Sequence, residues 1–148
     1  MSNHHLAQLN IATLLAPKDS PQLADFVANL DRINALADAA DGFVWRMLGD
    51  GADANGWRPW GDEVLANMSL WRDVESLKDY AFRTAHADIM KRRKEWFGRM
   101  ADAYMVLWWV PAGHIPTLSE ASERLERLRA NGPTAKAFTF KDVFPPPG

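Results

Sequence analysis

The stretch between Arg83 and Met100 contains the residues of this sequence best suited to acid–base or ionic chemistry. If the stretch is one helix, its residues are rotated by roughly 100° each, and His86 and Arg93 lie within about 20° of each other on the apolar stripe that includes Met90. An arginine on such a stripe is costly to bury without an anionic or polar partner. The pattern therefore predicts a pocket in which His86 is a proton donor, a base or a metal ligand and Arg93 holds a carboxylate or an enolate. The alternative is a buried arginine that pairs with a carboxylate or with carbonyl groups of the core.

Four polar side chains interrupt two strands that are otherwise apolar. Gln8 and Asn10 alternate along the first predicted strand, and Asn67 and Ser69 alternate along the third. Such side chains can orient a ligand in a pocket. They can equally satisfy buried backbone groups or line an interface between subunits. The alternation of the sequence leaves both interpretations open.

Tryptophan is unusually frequent, with seven tryptophans and seven phenylalanines beside only two tyrosines. Because indoles are costly to expose and each N–H needs a partner, either the core is strongly aromatic or a pocket is lined with rings. Trp108 and Trp109 are neighbours in one predicted strand and must point to opposite faces of the sheet. A second copy of the chain would cover the outer face, which predicts a homodimer. The alternative is a C-terminal segment that folds over that face.

Two loops are candidates for the border of a site. The turn from Pro111 to Pro116 displays His114 just beyond a buried strand, where this side chain serves either as a ligand-binding group or as a cap. The loop Gly49–Asp62 contains four glycines together with Trp57 and Trp60, which suggests a lid. Four histidines without cysteine, and without a His-Glu-x-x-His spacing, predict no metal site.

Length and charge set the class of protein. The chain has 148 residues, and its 17 basic and 19 acidic side chains leave a net charge of −2. We therefore expect one globular domain over residues 1–148 that binds no nucleic acid. The longest apolar run, Tyr104–Val110, is too short to span a bilayer, and the N-terminus does not resemble a signal peptide, which predicts a cytoplasmic protein with no membrane partner.

Hydrophobic periodicity predicts the order strand, helix, strand, strand, helix, strand, helix, strand. The predicted strands are His5–Leu14, Gly42–Leu48, Glu63–Trp71, Ala103–Val110 and Thr134–Asp142. The predicted helices run from Pro21 to Gly42, from Val74 to about Met100 with a break near Thr84, and from Thr117 to Asn131. Asp73 can cap the second of these helices, and Thr117 forms a capping box with Glu120 at the start of the third. This order predicts an α+β fold, a ferredoxin-like βαββαβ unit with an antiparallel sheet and helices on one face, extended by a C-terminal helix and strand.

Several stretches resemble a bacterial family known only as a domain of unknown function. They are the segment His5–Ala12, the stretches Ser69–Trp71 and Glu75–Leu77, the segment His86–Phe97, and Leu107–His114 followed by Pro116–Thr117. That family is similar in layout to the dimeric α+β barrel superfamily, which includes antibiotic-biosynthesis monooxygenases and small haem-degrading oxygenases. The resemblance implies a ferredoxin-like subunit that pairs sheet to sheet in a homodimer.

Cofactor-independent monooxygenases of this superfamily oxidise a bound phenolic substrate that itself activates oxygen. By analogy, the candidate catalytic residues are His86, Arg93 and Asn67, which would polarise an aromatic or polyketide-like small molecule without a cofactor. The candidate substrate-binding residues are Asn10, Trp45, Trp71, Trp96, Trp109 and His114.

A haem-degrading role is the second implication of the resemblance. That branch uses an asparagine on the first strand, for which Asn10 is the match, and a histidine, for which His86 is the match. Tyr80 lies nearest the position where that branch has a tryptophan, and its spacing to His86 is shorter, so the match to the haem branch is incomplete. A non-catalytic module that binds or senses a small acid, and an interaction subunit with tryptophan-rich interfaces, are the remaining alternatives.

Overall fold

The computed structural model describes residues 3–17, 19–48, 58–83, 85–98 and 103–147. Its strands are β1 (His4–Thr13), β2 (Phe43–Arg46), β3 (Val64–Trp71) and β4 (Met105–Pro111). Its α-helices are α1 (Ala24–Asp38), α2 (Val74–Arg83), α3 (Ala85–Lys91) and α4 (Leu118–Asn131), with 3-10 turns at Pro21–Leu23 and Arg93–Glu95. The sheet has the strand order β2-β3-β1-β4, and each neighbouring pair is antiparallel. This order confirms the predicted ferredoxin-like α+β fold.

Local sequence signals set the beginnings of two helices. Thr117 accepts a hydrogen bond from the backbone N–H of Glu120, as its place in a capping box predicts. Asp73 caps α2 by accepting from the backbone N–H of Ser76 at 2.8 Å. Between α1 and β2 the chain turns at Gly42, whose φ of +82° and close approach to Ser76 leave no room for a β-carbon.

The long helix predicted from Val74 to Met100 is divided. α2 ends at Arg83 and α3 begins at Ala85, which confirms the predicted break near Thr84. However, α3 ends at Lys91 and a 3-10 turn follows at Arg93–Glu95, so the prediction of a helix that continues to about Met100 is wrong. A change from α to 3-10 geometry alters the rotation per residue. The uniform rotation per residue on which the predicted alignment of His86 and Arg93 rests therefore ends at Lys91.

One face of the sheet, which we call the helix face, packs against α1 and α2. Leu6 of β1, Trp71 of β3 and Leu107 of β4 form its buried centre together with Leu77 and Tyr80 of α2. Ala37, Ile33 and Leu36 of α1 complete this cluster. The helix face is therefore the one in which the predicted pocket between sheet and helices would lie.

The opposite face, which we call the α4 face, is covered by the chain itself. Leu9, Met68 and Trp108 pack there against residues of α4 that include Leu125, and none of the four is more than 2% exposed. The helices α1 and α2 of the βαββαβ unit share one face as predicted, and the C-terminal helix α4 covers the other. α4 fills the position that the sequence analysis assigned to a second copy, so covering Trp108 does not require a homodimer.

The last predicted strand, Thr134–Asp142, is not a strand but a series of single bridges. Phe138 exchanges two backbone hydrogen bonds with Leu107, of 2.7 and 2.9 Å, at the outer edge of β4. Through this bridge the chain passes from the α4 face to the helix face, where the Phe138 ring is buried. Within the described residues, no helix combines the length and apolar character that a membrane span needs.

Candidate functional site

Four polar side chains meet on the helix face, and we call them the polar network. The register of β1 and β3 places Gln8 opposite Ser69 and Asn10 opposite Asn67. Gln8 and Ser69 are 5% and 6% exposed, Asn10 is half-buried and Asn67 is exposed. The network therefore extends from the core at one end to solvent at the other.

Hydrogen bonds join the four side chains. The amide nitrogen of Gln8 donates to Asn67 Oδ1 at 2.7 Å and to Ser69 Oγ at 2.8 Å. Its amide oxygen accepts from Asn10 Nδ2 at 3.1 Å. Trp71 Nε1 donates to Ser69 Oγ at 2.8 Å, which fixes the inner end of the network to a ring that is 1% exposed. The sequence suggested that these side chains share a face, but only the register between strands shows which atoms meet.

The aromatic neighbours of the inner end belong to the core. The Trp71 ring stacks on Tyr80 of α2 with a centroid distance of 5.1 Å and contacts Phe43 edge to face. Tyr80 donates its hydroxyl proton to the backbone carbonyl of Ile33 in α1. Burial raises the pKa of Tyr80 to about 12, so its hydroxyl stays protonated at neutral pH. Trp71 and Tyr80 hold the inner wall of the site through packing.

Arg46 is a charged neighbour that the sequence analysis did not single out. A β-bulge between Phe43 and Trp45 shifts the register, so that Arg46 pairs with Ser69 and lies on the helix face. Its guanidinium binds Asp38 at the end of α1 through two hydrogen bonds of 2.7 and 3.3 Å. The Arg46 hydrogen bond lowers the pKa of Asp38 below its usual value. Strict alternation from Phe43, which is on the helix face, would place Arg46 on the opposite face. The bulge cannot be recognised from the residue types of β2, so the sequence alone predicts the wrong face for Arg46.

The same bulge moves Trp45 away from the predicted pocket. Trp45 lies opposite Leu70 and packs against the core of the α4 face. A side chain on that face cannot contact a ligand bound to the polar network, because the sheet lies between them. The prediction that Trp45 shares a pocket with Asn67 is therefore corrected.

Arg93 lies in the 3-10 turn after α3, where its partner is an aromatic ring. Its Nη1 donates to the hydroxyl oxygen of Tyr104 at 3.1 Å, and its guanidinium carbon lies 4.8 Å from the centre of that ring. Among the described residues, no carboxylate pairs with Arg93. The core carboxylate of the alternative interpretation is thus not seen, and the guanidinium keeps unused donors.

Trp96 is packed between the 3-10 turn and α1. The ring is 1% exposed, lies 5.4 Å from the ring of Phe26 and carries the guanidinium of Arg92 above it at 4.8 Å. Arg92 is in turn held by Asp25 and Glu95 at 2.8 Å each. These contacts account for the position of Trp96 without a ligand.

His86 lies in α3, but its side chain is outside the described residues, as is Trp57 of the predicted lid loop. Trp60 of the same loop packs partly buried against the α4 face.

Trp109 and His114 have partners within the chain. Trp109 Nε1 donates to the backbone carbonyl of Phe144 at 2.9 Å, and its ring packs beside the helix-face core. His114 Nε2 lies 2.7 Å from Glu120 Oε1, while the other oxygen of that carboxylate accepts from Trp108 Nε1 at 2.8 Å. His114 therefore joins the turn after β4 to the first turn of α4, in the capping role that the sequence analysis held as its alternative.

Nearly the whole chain matches one protein family. A family model described as a domain of unknown function, DUF3291, matches residues 5–148. The chain belongs to the DUF3291 family. This membership confirms the resemblance on which the sequence analysis relied. The search of curated proteins finds no match.

Solved structures share the fold of this DUF3291 chain at low sequence identity. SnoaB, a cofactor-independent oxygenase from Streptomyces nogalater, is 14% identical with a TM-score of 0.51, over 78% of this chain and 100% of SnoaB. A Mycobacterium tuberculosis protein is 13% identical with a TM-score of 0.50, over 76% of this chain and 99% of its own. A Pseudomonas aeruginosa protein is 16% identical with a TM-score of 0.50, over 77% and 98%. At identities this low, the structural similarity shows a common fold and nothing more.

The chemistry open to the DUF3291 site follows from its donors and acceptors. The polar network consists of three amides and one hydroxyl, which bind by hydrogen bonds and carry no charge. In the part of the chain that the structure describes, no cluster of three or more histidine or carboxylate side chains is arranged to hold a metal ion. A groove of about 340 Å³ lies elsewhere, between the end of α1 and α2, and its lining includes Asp41, Asp79 and Arg83.

Proposed function

We propose that this DUF3291 protein binds a planar aromatic or polyketide-like small molecule on the helix face and oxidises it as a cofactor-independent monooxygenase. The observation that carries the proposal is the polar network, whose inner end is fixed in the core while Asn67 is open to solvent. A preorganised hydrogen-bond donor at the edge of an apolar site favours negative charge that develops on a bound oxygen atom. The fold shared with SnoaB supports this class of reaction.

The reaction balances without a cofactor when the substrate supplies the electrons. A phenol that takes one oxygen atom of O2 into its ring becomes a quinone, and the second oxygen atom leaves as water with two hydrogens of the substrate. In this proposal Asn67 and Asn10 hold the phenolic edge, His86 accepts the phenolic proton and Arg93 binds a carboxylate or enolate. The unused donors of the Arg93 guanidinium support that last role.

Isotope incorporation tests the proposal. The purified protein is incubated under 18O2 with a panel of phenols and anthrones, and the products are analysed by mass spectrometry. We expect one 18O atom per oxidised product, with turnover reduced at least tenfold in Asn67→Ala. Asn131→Ala, an exposed asparagine at the end of α4, serves as the matched control and should retain full turnover. Equal rates in the two variants and in buffer alone would refute the oxygenase.

A non-catalytic binding module is the second candidate, and one observation favours it. The polar network contains no titratable side chain, so the network itself supplies no general base. His86→Ala separates the two candidates: an oxygenase loses turnover and keeps its affinity for the ligand, whereas a binding module has no turnover to lose.

Homodimerisation and a cytoplasmic location stay predictions. Because α4 covers one face of the sheet and α1 and α2 cover the other, a homodimer of this chain would use a different surface from the α4 face. Light scattering at micromolar concentration tests this directly, since a dimer should show twice the chain mass of 16.6 kDa.

A further inference from the structure

Gln8 occupies the centre of the polar network and contacts all of its other members. Through its amide nitrogen it holds Asn67 and Ser69, and through its amide oxygen it holds Asn10. The side chain is 5% exposed, so it is buried beneath the two asparagines. Gln8 therefore orients the asparagines from below.

The chemistry of a carboxamide gives this arrangement a consequence. Each asparagine has one oxygen acceptor and one NH2 donor, and it uses one of the two to bind Gln8. Asn67 uses its oxygen and Asn10 uses its nitrogen, so their remaining groups have opposite character. Rotation of the Gln8 amide by half a turn would exchange the two roles, but the outward groups would still be opposite.

Ser69 and Trp71 hold Gln8 in its place. An indole N–H can only donate, so Ser69 Oγ accepts from Trp71 and contacts Gln8 on its other side. The Trp71 ring is buried and stacked on Tyr80. The position of the Gln8 amide is thus tied to the rigid core, whichever way round the amide lies.

The outward groups of the two asparagines have no partner among the described residues. Asn10 and Asn67 lie directly opposite each other on adjacent antiparallel strands, where Cβ atoms are typically about 5 Å apart. Asn67 is exposed and Asn10 is half-buried. One donor and one acceptor therefore stand side by side at the open end of the network.

We infer that this pair of asparagines recognises one edge of a planar molecule that carries a hydrogen-bond donor and an acceptor next to each other, as in a lactam or in a hydroxyl beside a carbonyl. The inference rests on the proposed function and names the class of ligand for that site. Gln8 is the residue that determines specificity, because it excludes the state in which both asparagines present the same group.

Three bicyclic probes of similar size test the inference. 2-Quinolone presents an N–H and a carbonyl on one edge, coumarin replaces that N–H with an oxygen, and indole has the N–H without a carbonyl. Dissociation constants are measured by calorimetry on the intact protein. We expect 2-quinolone to bind about tenfold more tightly than either of the others, since each of those leaves one asparagine group unpaired.

Substitution of Gln8 tests the role of that residue. In Gln8→Met each asparagine amide is free to rotate, so both can donate to coumarin, and the preference for 2-quinolone should fall towards one. Asn131→Ala should keep the full preference. If Gln8→Met folds poorly, the comparison of the three probes in the unmodified protein still tests the inference.

Two outcomes would overturn the inference and differ in what they say of the proposed function. Equal affinity for the three probes would leave a site for planar molecules but remove the paired recognition. Failure of all three probes to bind at millimolar concentration would remove the recognition as well, and the 18O2 experiment would then decide whether an oxygenase remains.

Discussion

The two faces of the sheet are covered in different ways. On the α4 face the buried side chains are apolar, and the N–H of the fully buried indole, that of Trp108, is paired with Glu120. On the helix face the apolar cluster around Trp71 and Leu107 borders a network of three amides and a hydroxyl that reaches solvent. The buried residues of the α4 face are apolar and cannot bind a polar ligand. The helix face retains a donor and an acceptor on the side chains of Asn67 and Asn10.

This difference indicates how the fold separates stability from binding. α4 closes one face with apolar packing, which stabilises the sheet and leaves the other face to carry polar groups. A buried polar network is costly unless each member is satisfied, and here the inner members are satisfied by protein while the outer ones face solvent. The comparison predicts that substitutions on the α4 face act on stability and that substitutions at the outer end of the network act on binding.

The largest effect on stability is expected from Trp108→Ala. The ring is fully buried on the α4 face, and its loss leaves a cavity and removes the hydrogen bond to Glu120 Oε2. We expect the free energy of unfolding to fall by about 3–5 kcal/mol in urea titrations followed by far-ultraviolet circular dichroism. Phe82→Ala, at a ring that is 62% exposed, should cost far less. Similar losses in the two variants would contradict the assigned packing.

Ser69→Ala should have the next largest effect. It leaves the Trp71 indole N–H and one N–H of Gln8 without an acceptor in a buried setting. The expected loss is about 1–3 kcal/mol, measured by the same titration. Ser119→Ala, at an exposed position of α4, is the control and should change stability little. A neutral Ser69→Ala would show that the inner end of the network is not held as described.

Asp73→Ala should cost about 1 kcal/mol near neutral pH, because it removes the cap of α2. Burial raises the pKa of Asp73, but hydrogen bonds from Ser76 and Arg72 outweigh it and hold that pKa below its usual value. A carboxylate whose pKa is lower in the folded state stabilises the protein above its unfolded pKa of about 3.9 and loses this contribution as the pH falls through the folded value. The difference between the variant and the unmodified protein should therefore shrink below about pH 4. A difference that stays constant from pH 7 to pH 3 would exclude the charged cap.

The smallest effect on stability is expected from Asn67→Ala, within about 0.5 kcal/mol, since the side chain is exposed and water can replace its oxygen as the acceptor of the Gln8 N–H. The same variant should lose affinity for 2-quinolone. Urea titration and calorimetry on one preparation check both statements. A loss of stability above about 2 kcal/mol would assign the outer end of the network to folding and remove the contrast between the faces.

Prediction from the sequence succeeded where local chemistry decides the structure. The capping box at Thr117, the cap at Asp73 and the break near Thr84 are local signals, and the structure has all three. Alternation placed Gln8, Asn10, Asn67 and Ser69 on common faces of their strands, and the register confirms that they share the helix face. The hydrogen bonds from Gln8 to Asn67 and Ser69 were beyond prediction, because they join residues 59 and 61 positions apart.

Prediction failed where a small local change alters the direction of the chain. One bulge in β2 exchanges the faces of Trp45 and Arg46, and one 3-10 turn ends the α-helical rotation before it reaches Arg93. Neither change has a distinct signature in residue types. Both interrupt the regular period of the strand or helix, on which prediction from the sequence depends.

The sequence by itself determined the order of elements, the antiparallel ferredoxin-like sheet and the residues capable of hydrogen bonding on β1 and β3, since apolar periodicity and capping are properties of short segments. Only the tertiary structure decided that α4 covers the face of Trp108 and that Gln8 stands between Asn10 and Asn67. The physical reason is that an apolar surface can be buried equally well by α4 or by a second chain. In the same way, an amide can form hydrogen bonds through either its oxygen or its NH2 group. Three-dimensional contacts alone select among these equivalent choices.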